Sequence, residues 1–418
     1  MLNNPFCYFP RPSVVKAADD LIQRIEQSPV LRNIFREGKM LGVLEIEDGS
    51  FLYAFSGLAG GRSRIDGFVP PIYEYEPSAI ASSSHQQSIE LQKELFEKYV
   101  VINGLGQKES IYNIFSEKGI VPPGGTGDCA APKLLQYAFL NGHTPISMGE
   151  FWYGNSPARE VRRSGCFYPS CTGKCGVLLP WMLQGIEVEP NPLESDLLWE
   201  IQEPIILFED NDIVVVEKPS GMLAVPGRSS RKPLQQWLQD YCGCEIYSCH
   251  RLDMDTSGVM VFAKNKECQS HIQQQFENRE VGKSYIARLG SNGGNITEGK
   301  RLKVGDKGKI VLPLALDYYD RPRQCIDFEN GKQSVTQYEV ISHNADGSID
   351  VIMTPFTGRT HQLRVHAAHQ SGLGMPIVGD RLYGGIPAKR LMLHADTLSF
   401  RHPVTYSRLF FSGRKRGF

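Results

Sequence analysis

The segment His250–Gly258 (HRLDMDTSG) carries two carboxylates, an arginine and two hydroxyls within nine residues and runs directly into an apolar stretch, Val259–Ala263 (VMVFA). A polar loop feeding a strand is a place where an acidic side chain can be held for chemistry. Asp253 there reads as a catalytic carboxylate, kept ionised by cations close to it. The same residues also describe an ordinary turn in which Asp255, Thr256 and Ser257 satisfy backbone donors. The segment by itself leaves both readings open.

A second set of chemically capable residues lies upstream. Cys129 sits in GTGDCAAPKLL, and Cys166, Cys171 and Cys175 sit in CFYPSCTGKC. Thiolates grouped this way can hold Zn²⁺ as a structural ion, although the C-x4-C-x3-C spacing is looser than the usual C-x2-C knuckle. Buried free thiols are the alternative. His250, His361 and His366 have no cysteine or carboxylate cluster beside them, and are expected to serve as hydrogen-bonding residues.

These residues need elements to position them. Ile213–Glu217 (IVVVE) reads as a strand stopped by the turn Lys218-Pro219-Ser220-Gly221, and Val259–Ala263 reads as another. Asn265–Arg279 places Cys268, Ile272 and Phe276 at helical spacing. Ser284–Leu289, Val335–Ile341 and Ile349–Met353 are further strand candidates. Many strands, few helices and frequent Gly/Pro turns predict an α+β domain on a mixed or antiparallel sheet. In the first half, Val15–Arg24, Gln86–Lys98 and Ala130–Phe139 read as helices, and Leu41–Ile46 with Phe51–Phe55 as a hairpin. This half is expected to be a separate α/β or α+β domain.

At 418 residues the chain exceeds a single core, so two domains are expected. The Pro- and acid-rich stretch Glu187–Ser195 reads as a linker. The boundary is placed near Leu197–Glu203, giving domains 1–197 and 203–418.

The segment around Asp253 resembles the signature of RluA-type RNA pseudouridine synthases. Three more blocks resemble the same family in the same order: IVVVEKPSGMLAVPG (Ile213–Gly227), KSYIARL (Lys283–Leu289), and TGRTHQLRVH (Thr357–His366) followed by PIVGDRLYG (Pro376–Gly384). Ordered blocks are more specific than one motif. The resemblance covers Glu203 to His402, and KIVLPLALDYYDRPRQ (Lys309–Gln324) resembles the RluA subgroup. It implies Asp253 as nucleophile, Tyr285 as the active-site tyrosine and Arg364 as the arginine that pairs with Asp253. It further implies substrate-binding roles for His250, Arg251, Thr256, Arg359 and Leu363. The partner implied is structured RNA, a stem-loop of 23S rRNA or tRNA, and the reaction needs no cofactor. The insertion-like AAHQSGLGM (Ala367–Met375) departs from the family and is expected to reshape the rim of the site.

In the first half, a cysteine opening a helix (CAAP) before a later Pro-x-Cys-x3-Cys segment resembles zinc-dependent nucleoside deaminases. Those enzymes carry a Glu two residues after the first ligand, where this chain has Ala131, so the resemblance implies a catalytically silent deaminase-like module that binds RNA or stabilises the chain. Glu150, in GEFWYG, is the nearby carboxylate with a distinctive setting.

Net charge is −1, which by itself argues against a nucleic-acid binder. The distribution differs: from Val351 onward there are 10 basic against 2 acidic residues, including Arg414-Lys415-Arg416. That local excess suits a phosphate backbone. No apolar run approaches a membrane span and the N-terminus lacks a signal-peptide pattern, so a cytoplasmic monomer is expected. Two other classes compete: a non-catalytic RNA-binding protein, and a metal-dependent base-modifying enzyme centred on the N-terminal cysteines.

Overall fold

The computed structural model describes residues 1–7, 9–74, 85–191, 202–226, 232–290, 302–318 and 320–413. The expected boundary at Leu197–Glu203 falls mainly, and the basic run Arg414–Arg416 wholly, outside the described residues. The chain divides into two compact units. One comprises Met1–Leu193 with Leu316–Arg323; the other comprises Glu194–Ala315 with Gln324–Phe418. Leu316–Arg323 thus groups with the first unit, although its place in sequence put it in 203–418. Within that unit Asp320 pairs with the buried Arg162 at 3.0 Å.

The first unit is built on a four-stranded antiparallel sheet in the order Phe51–Phe55, Lys39–Ile46, Pro145–Tyr153, Phe167–Tyr168. Alternation along the second strand sends Leu41 and Val43 to one face and Leu44 and Ile46 to the other. The first face packs Val14, Leu21 and Ile25 of the helix Pro12–Gln27. The second packs Leu134 and Ala138 of the helix Ala130–Leu140. A side chain at Gly42 would meet Leu134 at 2.8 Å and Ala130 at 2.9 Å, so glycine there permits the close approach of that helix.

The second unit carries an eleven-stranded sheet. Its central run is Lys332–His343, Ile349–Pro355, Gly282–Leu289, Leu393–Arg401, Ser257–Ala263 and Ile213–Lys218. Neighbours are antiparallel except Ser257–Ala263 beside Leu393–Arg401, which are parallel. The fold is therefore α+β with a mixed, mainly antiparallel sheet. Every residue of Ser257–Ala263 is buried, as expected of a strand covered on both faces. Gly258 has a φ of +122°, and a Cβ there would lie 2.3 Å from the Ala395 carbonyl, so only glycine fits where the loop joins this strand. Among the described residues no helix is long and apolar enough to cross a membrane.

Candidate active site

The loop Cys249–Thr256 enters the central strand with its backbone fixed at several points. The Thr256 N–H donates to the Asp253 carbonyl at 3.1 Å, and the Gly221 N–H donates to the Met254 carbonyl at 2.9 Å. Ser220 Oγ donates to the Asp255 carbonyl at 2.6 Å. Lys218, fully buried at the end of Ile213–Lys218, donates from Nζ to the carbonyls of Pro219, Met222 and Met254 at 2.9, 2.7 and 2.9 Å. Three donors meeting three acceptors suit an ammonium group. Burial pushes its pKa down to about 7, against the pull of Asp255 and Asp253.

An alternating run of charges spans the floor of the site. Arg364 and Asp380, 2% and 0% exposed, form a bidentate pair at 2.8 and 2.7 Å. The next residue, Arg381, pairs with Asp255 at 3.0 Å. Burial opposes the charge on Asp255, but Arg381, Arg364 and Lys218 outweigh it and hold its carboxyl below the usual range. The Arg364 guanidinium also lies 5.3 Å above the Tyr383 ring, and the Tyr383 hydroxyl meets His361 Nδ1 at 2.9 Å.

Asp253 stands beside this network without being tied into it. Its side chain is 23% exposed and lies 3.9 Å from His361 Nε2, and it makes no side-chain hydrogen bond among the described residues. Burial raises its pKa; Arg364 and Arg251 offset part of that rise, and Asp255 adds to it. The sequence suggested that neighbouring cations decide the protonation of this residue. In the structure desolvation is the larger influence. The direct partner of Arg364 is Asp380, and its influence on Asp253 is through space.

Asp253 and Tyr285 line an open cleft of about 710 Å³ together with His250, Arg251, Thr256, Arg359, Leu363 and Arg364. All eight residues singled out in this half are thus brought to one place. Arg251 and Arg359 are exposed, and Arg251 makes no ion pair among the described residues. Thr256 is 2% exposed and its hydroxyl has no hydrogen-bond partner among the described residues. Tyr285 comes from the strand Gly282–Leu289, and burial together with Asp253 raises its phenol pKa. His250 has a different setting: its ring stacks on Phe276, and Nε2 accepts from the Val261 N–H at 3.1 Å. Burial, with Lys283, lowers its pKa to about 3, so it is a neutral anchor for the loop. Ala367–Met375, expected at the rim, contributes no lining residue. It folds back on the preceding short helix through Leu373 N–H to His366 O and Met375 N–H to Ala367 O. From sequence, Lys218 and Asp255 figured only as turn residues, and Asp380 and Arg381 were given no role. Their only signal was membership of the quoted blocks.

Two expectations follow from this geometry. Lys218→Met removes all three bonds that hold the turn and Met254, leaving carbonyls whose loss costs about 1–3 kcal/mol each. The variant is expected to melt at lower temperature and to turn over more slowly while RNA affinity changes little; thermal unfolding, single-turnover rates and RNA binding read these separately. For pH, an Asp253 needed as carboxylate loses function as protons bind. Its raised pKa moves that loss above the usual aspartate value of 3.8. The single-turnover rate is expected to fall with acidification at a midpoint above that value, and Arg251→Ala is expected to move the midpoint higher still.

In the first unit, the sulfurs of Cys129, Cys171 and Cys175 all lie within 4.8 Å of one another, a grouping able to hold a metal ion. Cys166 lies outside this group. Cys129 precedes the helix Ala130–Leu140 and Cys175 opens the helix Cys175–Met182. The Glu150 carboxylate, on Pro145–Tyr153, accepts from Ser170 Oγ and from the Ala131 N–H at 3.2 Å. Burial raises its pKa to about 7. A further group, Asp210, Asp212 and His402 in the second unit, is explained locally: Asp210 caps the turn into Ile213 and binds His402 at 2.8 Å.

Residues 212–369 match the family model described as RNA pseudouridylate synthase. The chain is 41% identical over 232 residues to the dual-specificity RNA pseudouridine synthase RluA of Haemophilus ducreyi, covering 54% of this chain and 96% of that protein. It is 41% identical over 212 residues to the protein of the same description from Escherichia coli K12, covering 49% and 90%. Among solved structures, human RNA pseudouridylate synthase domain containing 1 matches with 28% identity and a TM-score of 0.42, covering 52% and 85%. The chain belongs to the RluA family of RNA pseudouridine synthases, and is an isomerase.

Proposed function

We propose that this enzyme converts one uridine in a stem-loop of 23S rRNA or tRNA into pseudouridine, with Asp253 as the catalytic carboxylate. The observation that carries the reading is the placement of Asp253 with Tyr285 in a cleft whose lining includes the exposed Arg251 and Arg359. The reaction breaks the N-glycosidic bond and rejoins the sugar to carbon 5 of the same ring. It neither adds nor removes atoms and involves no redox change, so protein groups suffice.

The target base must leave its stack to reach the cleft, and a loop nucleotide costs less to extrude than a paired one. Arg251 and Arg359 then meet phosphates, Thr256 offers its hydroxyl, and Leu363 contributes apolar surface. Asp253 acts on the base or sugar by covalent addition or by stabilising positive charge at the anomeric carbon. Tyr285 stacks on the uracil and its hydroxyl serves late proton transfer. Arg364, fixed by Asp380, orients the field around Asp253. One unit holds the whole cleft, so we take the enzyme to act as a monomer in the cytoplasm, where both RNAs occur. In the domain before it, 1–197, we assign Zn²⁺ to Cys129, Cys171 and Cys175.

Unmodified transcripts of tRNA and of 23S rRNA stem-loops, incubated with the purified chain, test the substrate. A single new pseudouridine in a loop is expected in one or both. Product spread over many uridines, or confined to duplex, contradicts the reading.

A further inference from the structure

The cysteine trio has no part in uridine isomerisation, and its surroundings say more than that a metal binds. We propose that Cys129, Cys171 and Cys175 hold a zinc-class ion whose fourth coordination position is open to water, with Glu150 as the hydrogen-bond acceptor for that water. The first unit then contains a hydrolytic metal centre. This rests on the zinc assignment above and goes beyond a structural ion.

The sulfur positions fit the ion. Tetrahedral Zn–S bonds of about 2.3 Å place sulfurs about 3.8 Å apart, inside the 4.8 Å that bounds the three thiols. A disulfide would engage only two of them.

The number of ligands decides the type of site. Structural zinc sites are closed by four protein ligands, whereas catalytic sites keep three and leave a position for water. Among the described residues, Cys166, the fourth cysteine of the neighbourhood, is not in the group, and neither is any carboxylate oxygen. Glu150 is nevertheless held next to the cysteines by its hydrogen bonds. It is anchored to both ligand-bearing segments, through Ala131, two residues after Cys129, and Ser170, just before Cys171. A carboxylate has about four acceptor positions, so these two bonds leave capacity for a third partner. Glu150 thus stands beside the ligand sphere and outside it. Cys129 and Cys171 are partly exposed while Cys175 is 1% exposed, which opens one side of the site to solute.

The chemistry of such a centre is attack by metal-bound hydroxide on an electrophilic carbon. The water O–H bond breaks with its proton passing to Glu150, and a C–O bond forms. The C–N bond then breaks as Glu150 returns the proton to the leaving nitrogen. A nitrogen is a poor leaving group as an anion and gains most from the returned proton, so amides and amidines, releasing an amine or ammonia, are the substrate class this step favours.

The test uses the full chain. Metal analysis of the purified protein is expected to find zinc, and Cys171→Ser to lower its content at least about tenfold. Retained pseudouridine formation by that variant shows that it has folded. After exchange for Co²⁺, thiolate charge-transfer bands are expected, and added azide is expected to shift the d–d bands by entering the open position. Glu150→Gln should keep the metal and the charge-transfer bands yet alter the azide-free d–d spectrum. Absence of any bound metal overturns the zinc assignment itself. Metal bound with a spectrum indifferent to azide and to Glu150→Gln leaves that assignment standing and overturns the open position.

Discussion

Asp253→Asn is expected to reduce pseudouridine formation by at least about 10³-fold while leaving the protein folded and able to bind RNA. The substitution keeps shape and removes charge. Little structure depends on that charge: the carboxylate makes no side-chain hydrogen bond among the described residues, and the His361 ring lies 3.9 Å from it. Its pKa is raised by burial, so the native state pays to keep it ionised. A group whose folded pKa is raised costs stability wherever it is ionised in the folded state. The Asn variant should therefore melt at the same or a higher temperature near neutral pH. That advantage should vanish as pH falls below the unfolded value, where wild-type Asp253 is protonated in both states. Loss of activity accompanied by loss of stability would mean that Asp253 is a structural residue.

Asp380→Ala is expected to have the largest effect on stability. It strips the bidentate partner from a guanidinium that is 2% exposed, and leaves the Leu382 and Tyr383 N–H groups without their acceptor. An uncompensated buried charge costs about 3–5 kcal/mol, which for a unit of this size lowers the melting temperature by on the order of 10 °C. Activity should fall as well. The double variant Arg364→Met/Asp380→Leu separates the two roles. With both charges gone and the volume filled, stability should largely return, whereas activity should not, because Asp253 has lost the cation that faces it. Recovery of activity in the double variant would show that Arg364 serves only to hold the fold.

The local parts of this site were legible in the sequence because their signals are local. The run IVVVE followed by Lys-Pro-Ser-Gly marks a strand and its turn, and the structure has the strand at Ile213–Lys218. The apolar run after the polar loop marks the buried strand Ser257–Ala263. The helical spacing of Cys268, Ile272 and Phe276 corresponds to Lys266–Glu277. What holds these parts in register was not legible. Arg381 meets Asp255 across 126 positions, a relation that no spacing rule contains. Lys218 reads as the first residue of a turn, yet its ammonium is enclosed by three carbonyls. The strand Leu393–Arg401, which flanks both Ser257–Ala263 and Gly282–Leu289, carries His394, Asp396 and Thr397 and so lacks a plain apolar pattern. Among the cysteines, proximity in sequence drew in Cys166, whereas folding groups Cys129 with Cys171 and Cys175 through the starts of two helices.

The most direct test of the central claim compares RNA from a strain lacking this chain with RNA from the same strain carrying either the wild-type or the Asp253→Asn protein. Pseudouridine is mapped across 23S rRNA and all tRNAs. The expected result is at least one loop position that is modified with the wild-type protein and unmodified in the other two. An identical pseudouridine map in all three strains would contradict the assignment of uridine isomerisation in these RNAs to this cleft.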